Sequence, residues 1–120
     1  MKIQVKNISK KFNSLIAVND ISFEIESNKT LGLLGPNGCG KTTSIGMMLG
    51  LITPTSGNIL INGMEFVPKN RIKLLSLMNF ASPYIELPKK LTVRENLEVY
   101  ARLYGVKEVH HRTTEMIEDL

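Results

Sequence analysis

From Gly35 to Thr42 the chain reads GPNGCGKT, an unbroken match to the spacing G-x-x-x-x-G-K-[ST], and no other stretch restricts the fold as tightly. Before it, Thr30, Leu31, Leu33 and Leu34 form an apolar run of strand length. After it, Thr42, Thr43, Ser44, Ile45, Met47, Met48 and Leu49 follow in a helical register. The spacing therefore predicts a loop that joins a buried strand to a helix start. Gly35, Gly38 and Gly40 open backbone conformations closed to residues with a Cβ, so successive N–H groups turn inward around an anion, and the helix adds its N-terminal partial charge. Phosphate is the guest such a loop suits, and the pattern is that of a Walker A loop. Lys41 brings a mobile charge to β- and γ-phosphates, the Thr42 hydroxyl is placed to ligate Mg²⁺, and Thr43 is within reach of an α-phosphate. The alternative reading is a glycine-rich turn whose Lys41 is merely solvated.

With 120 residues, 42% of them apolar, the chain has the makings of one modest domain with its own core. Fifteen Lys and Arg against eleven Asp and Glu leave a net charge of +4. Apart from Lys10-Lys11 and Lys89-Lys90 the basic residues are dispersed, which reads as solvated surface and not as a nucleic-acid interface. No apolar run approaches the roughly 20 residues that span a bilayer, and MKIQVKNISKKF lacks the apolar segment of a signal peptide. The expected location is the cytosol, free or docked on a partner. Cys39 is the single cysteine, so no intrachain disulfide is possible. It is either a small loop filler or a thiol whose alkylation blocks nucleotide binding and which ATP protects.

Lys2 to Ile8 alternates, with Ile3 and Val5 facing one way, and AVNDISFEI from Ala17 to Ile25 alternates again through Ile21, Phe23 and Ile25; both are predicted strands. SKKFNSLIAV lies between them. Taken together, VKNISKKFNSLIAVNDISFEIESNKTLGLLGPNGCGKTT resembles the opening of an ABC-transporter ATPase domain. The resemblance implies that Phe12 stacks on adenine as the A-loop aromatic and that Val18 packs beside it; from the residues alone, an ordinary core side chain is the favoured reading of Phe12. Phe12, Val18 and the loop residues Gly35, Pro36, Asn37, Gly38, Cys39, Gly40, Lys41, Thr42 and Thr43 are thus the expected ATP contacts, with Lys41 the catalytic candidate and Thr42 the Mg²⁺ ligand.

Beyond the loop helix, Gly50 and TPTSG (Thr53 to Gly57) make a break and a turn. NILI from Asn58 to Ile61 is a strand, and Asn62-Gly63 a two-residue hairpin turn leading to Met64, Phe66 and Val67. GLITPTSGNILINGMEF is similar to the same family. Arg71 to Leu75 reads as a short helix and Leu77 to Ala81 as a buried strand. The family places a glutamine at the end of that strand; here Leu77 to Pro88 contains none, and Ser82 or Pro83 takes the position. TVRENLEVYARLY, from Thr92 to Tyr104, is a predicted helix with Thr92 and Glu95 as a capping box, Val93, Leu97, Tyr100, Ala101 and Tyr104 on one face, and Gly105 at its end. LTVRENL is frequent in ABC ATPases. Lys107 to Leu120 reads as a second amphipathic helix through Val109, Thr113, Met116, Ile117 and Leu120. The adjacent His110 and His111 point about 100° apart and cannot form an i, i+4 metal pair.

The fold class expected is α/β, a P-loop NTPase fold of ABC ATPase type with an N-terminal antiparallel β region and the start of a helical subdomain. Residues 1–104 would belong to the N-terminal part of the nucleotide-binding domain and 105–120 to the helical subdomain. The 120 residues correspond to about the first half of such a domain. They contain no Asp-Glu strand end, no LSGGQ-type signature and no switch histidine, so hydrolysis of ATP by these residues alone is not expected. Leu31 to Leu34 should lose its flanking strands, which makes the chain marginally stable. The resemblance implies an ATP-binding subunit of an ABC transporter, with ATP and Mg²⁺ as cofactors, a second nucleotide-binding subunit as dimer partner, and a transmembrane permease that holds it on the cytoplasmic face. The hairpin and the LTVRENLEVYARLYG run resemble ABC-2 exporters. The alternatives are a non-hydrolytic regulatory nucleotide-binding fragment and a small P-loop kinase.

Overall fold

A computed structural model describes residues 1–82 and 86–119. The chain divides into two compact units, Met1–Asn79 and Phe80–Leu120.

The first unit is built on an antiparallel sheet of order β2-β1-β3-β4, formed by β1 (Ile3–Phe12), β2 (Leu15–Ile25), β3 (Ser56–Ile61) and β4 (Met64–Glu65). Strict alternation would turn Asn7 inward after Ile3 and Val5. Instead the β1–β2 register shifts between Val5 and Ile8, and the bulge returns Ile8 to the face that Val5 occupies. Asn7 and Asp20 both take positive φ at this irregularity, a conformation that Asn and Asp tolerate better than most residues. Side chains satisfy the displaced backbone: the Asn7 N–H donates to Ser22 Oγ at 2.8 Å, the Asp20 N–H to Ser9 Oγ at 2.9 Å, and Asn7 Nδ2 to Asp20 Oδ1 at 3.0 Å. Asn62 and Gly63 sit at φ 50° and 77°, both positive, as a type I′ hairpin turn between β3 and β4 requires.

On one side of this sheet lie α1 (Lys41–Met48), a 3₁₀ turn (Pro68–Asn70) and α2 (Arg71–Leu75). Val5, Ile8, Val18, Ile59 and Ile61 from the sheet are buried together with Met47 of α1 and Leu74 of α2, and Ile52, Phe66 and Met78 pack against the cluster. Gly46 lets α1 approach closely, since a Cβ there would stand 2.9 Å from Ile52 Cδ1.

Two predicted strands are absent. Residues 29–36 form no strand, and Leu31, Leu33 and Leu34 are exposed, Leu34 to 91%. Every pairing in the sheet is antiparallel, and this apolar run finds no parallel strand to lie beside among the described residues. Residues 77–81 likewise form no strand, with Leu77 and Phe80 exposed. Phe12, which the sequence placed between strands, is instead the last residue of β1, paired with Leu15 across the turn.

The second unit contains α3 (Val93–Leu103) and α4 (Val109–Glu118), which pack on each other. The predicted division after Tyr104 falls between them. Thr92 caps α3 as expected: Glu95 N–H donates to Thr92 Oγ1 at 3.2 Å, while Thr92 N–H donates to Glu95 Oε2 at 2.7 Å. The buried face differs from the expected one. Val93 and Tyr104 are exposed, and Asn96 is buried, its Nδ2 donating to the carbonyls of Pro88, Leu91 and Thr92. Across the pair, Arg94 Nη1 donates to Thr114 Oγ1 at 3.0 Å. In α4, Thr113 is buried while Met116 is exposed. Pro83 and Leu120 lie outside the described residues.

Candidate phosphate-binding site

The glycine-rich loop rises from residues 29–36 and ends on the N-terminus of α1. A turn at Pro36–Cys39, closed by Cys39 N–H to the Pro36 carbonyl at 3.4 Å, reverses the chain. Gly40 then takes φ 94° as the residue before α1. A Cβ at Gly40 would stand 2.3 Å from the Ala17 carbonyl oxygen and 3.0 Å from Val18 Cγ2. Glycine is therefore required twice, by the left-handed backbone and by close approach to β2. Gly35 and Gly38 also have positive φ.

No side chain caps α1. The first N–H groups of a helix have no partner within it, so the amides of Lys41, Thr42 and Thr43 keep their donors directed out of the helix end, where the dipole favours an anion. Lys41 Nζ donates to the carbonyls of Gly35 at 2.6 Å and Pro36 at 2.7 Å, and lies 3.8 Å from Cys39 Sγ. The ammonium is thus held over the same loop. Thr42 and Cys39 are exposed, and Thr43 follows in the first turn of α1. Helix donors, a tethered cation and an exposed hydroxyl make a donor set that fits a polyphosphate and a hard cation bound to it. Among the described residues there is no cluster of three or more His, Cys, Asp or Glu able to hold a metal by itself.

The two residues expected at an adenine are placed differently from each other. Phe12 is 44% exposed at the end of β1, whereas Val18 is only 5% exposed and packs in the core and under Gly40. Lys10, which the motif reading passed over, brings its Nζ to 5.0 Å from the Phe12 ring centroid. The pair K-x-F on an alternating strand, which puts both side chains on one face, is the signal that could have disclosed it. Ser82, at the expected glutamine position, lies in a half-buried loop. His110 and His111 are surface residues facing Glu98 and Glu115. Among the described residues no helix is long and apolar enough to cross a membrane.

A family model described as ABC transporter matches residues 18–120. ABC transporter A family member 4 of Dictyostelium discoideum is 43% identical over 108 residues, which cover 85% of this chain and 7% of that protein. Nod factor export ATP-binding protein I of Burkholderia lata is 38% identical over 104 residues, 87% of this chain and 34% of its own length. A solved ATP binding subunit of an ABC transporter superposes with a TM-score of 0.77 at 28% identity, covering 90% of this chain and 45% of that one. The chain therefore spans less than half the length of each of these three.

Proposed function

The chain belongs to the ABC transporter family, and from that premise we propose that it binds Mg²⁺-ATP as part of the nucleotide-binding component of such a transporter. The observation that carries this reading is Lys41, whose ammonium is tethered to the Gly35 and Pro36 carbonyls beside an uncapped helix end. In the proposed complex, Lys41 transfers its hydrogen bonds from those carbonyls to the β- and γ-phosphates, and the amides of Lys41, Thr42 and Thr43 take up the remaining oxygens. Thr42 is the residue of this loop that would ligate Mg²⁺, which would supply charge neutralisation to the phosphates. Phe12 offers its exposed ring to the adenine, since aromatic faces hold bases without reading their edges. Val18 acts from below, by seating Gly40.

As a whole, the proposed protein is held on the cytoplasmic face of a membrane by a permease, pairs with a second nucleotide-binding subunit, and couples ATP to transport. A relative named for Nod factor export favours the exporter side. Residues 105–120 would begin the helical subdomain.

A second reading is that these 120 residues, whose loop from Gly35 to Thr42 offers donors to phosphates and carries no carboxylate to place a water, bind ATP without turning it over. Equilibrium dialysis with labelled ATP, in the presence of magnesium and beside a phosphate-release assay, tests both. Saturable uptake that falls about 10- to 100-fold in Lys41→Ala, the scale of lost charge-assisted hydrogen bonds, supports nucleotide binding, and unchanged uptake overturns it. Phosphate release that disappears in the same variant separates the enzyme from the silent binder.

A further inference from the structure

The Phe12 ring does not stand alone at the tip of the β1–β2 hairpin. Lys10, two residues earlier on the same face of β1, is half-buried, and its Nζ lies 5.0 Å from the ring centroid, inside the range of a cation–π contact. That ammonium is itself anchored, donating to the Thr53 carbonyl at 2.7 Å. The anchor is firm because the turn carrying Thr53 is tied to the same strand: Thr55 N–H donates to the Ser9 carbonyl at 2.8 Å, and Lys11 N–H donates to Thr55 Oγ1 at 3.1 Å. A cation fixed at one end to the backbone and at the other to an aromatic face restricts an otherwise exposed ring.

We infer that Lys10 is a positioning residue for base recognition. It holds Phe12 by one face, so that the ring meets a planar purine base already oriented, and it touches neither the base nor the phosphates. The inference rests on Phe12 being the base platform of the proposed ATP site. Ordering a side chain before binding removes part of the entropy otherwise lost on stacking, so the gain appears as affinity for ligands with a base and is absent for ligands without one.

The test compares Mg²⁺-ATP with Mg²⁺-tripolyphosphate, which keeps the phosphates and lacks the base, by equilibrium dialysis on the full chain. Lys10→Met removes the charge and keeps the stem. It should raise the Kd for ATP about two- to fivefold, the scale of an exposed cation–π contact, and leave that for tripolyphosphate unchanged. Lys10→Arg should restore ATP affinity. Phe12→Ala should weaken ATP by about fivefold or more, and Lys10→Met added to it should have no further effect. Equal weakening toward both ligands in Lys10→Met would mark a merely structural lysine and overturn the inference. So would undiminished ATP affinity in Lys10→Met while Phe12→Ala weakens it. If Phe12→Ala itself leaves ATP affinity intact, the platform reading fails and the inference with it, whereas loss of tripolyphosphate binding in Lys41→Ala still reports on the phosphate loop separately.

Discussion

Gly40 carries the most restrictive requirement of any single residue in the loop. Its φ of 94° strains any side chain, and its Cα faces the Ala17 carbonyl so closely that a methyl would be driven to 2.3 Å from the oxygen. That oxygen is backbone and cannot swing aside as a flexible side-chain tip would. Gly40→Ala should therefore cost the backbone strain of about 1–3 kcal/mol and push the N-terminus of α1 away from β2. The expected outcome is a lower midpoint in urea together with weakened uptake of labelled ATP; a variant that binds ATP as tightly as the parent would show that the loop tolerates the displacement. Cys39 tests the same neighbourhood from its exposed side. Its Sγ lies 3.8 Å from Lys41 Nζ, so an alkyl group on that sulfur would crowd the ammonium. Alkylation should block nucleotide uptake, and ATP should slow the modification measured by mass spectrometry. Equal rates with and without ATP would remove Cys39 from the site.

At the scale of elements, α3 is set by its first turn. Thr92 and Glu95 exchange hydrogen bonds with each other's backbone, and Thr92→Ala should destabilise the helix by about 1 kcal/mol, the usual cost of a lost N-cap, read as faster amide exchange in α3. The bond from Thr92 N–H, and then that from its hydroxyl, hold the Glu95 carboxyl below the ordinary carboxylate value of 4.5. A carboxylate whose folded pKa is depressed stabilises above its unfolded pKa and loses that contribution as pH falls through the folded one. Helix protection in α3 should therefore be flat from neutral pH down to about 4.5 and decline below it. Glu95→Gln, which keeps a capping side chain without a titrating group, should flatten the decline. Elements of this kind were legible because their causes are local: the cap lies within four residues, the Asn62-Gly63 turn within two, and the phosphate loop within eight. The strands expected at Leu31–Leu34 and Leu77–Ala81 were not, because apolar runs specify burial and leave the pairing partner unspecified. The β1 bulge was hidden for a related reason. Asn7 and Asp20 support one another across two strands, and neither is distinctive in its own strand. Asn96 carries no signal in the sequence that sets it apart, yet it is buried because three carbonyls converge on its amide.

At the scale of the whole chain, the site rests on the first unit, a four-stranded antiparallel layer with α1 seated on it and an apolar run, Leu31 to Leu34, that joins no strand. Leu31, Leu33 and Leu34 leave the loop's entry exposed, although the loop beyond them is anchored through Gly40 to β2. The phosphate site is therefore held by its helix end and by Val18, and hardly at all by the segment that leads into it. This arrangement separates two quantities that a buried strand would couple. Leu34, 91% exposed, contributes little to unfolding free energy here, so Leu34→Ser should change it by no more than about 0.5 kcal/mol in urea, as surface substitutions do. Were the run a buried strand, the same change should cost roughly 2–5 kcal/mol, as other large-to-small core substitutions do. Exposed apolar runs favour association, so the same variant should also slow the rise of light scattering on warming while leaving nucleotide uptake unaltered. A large loss of stability in Leu34→Ser would place the run inside a folded sheet and overturn this account of how the loop is supported.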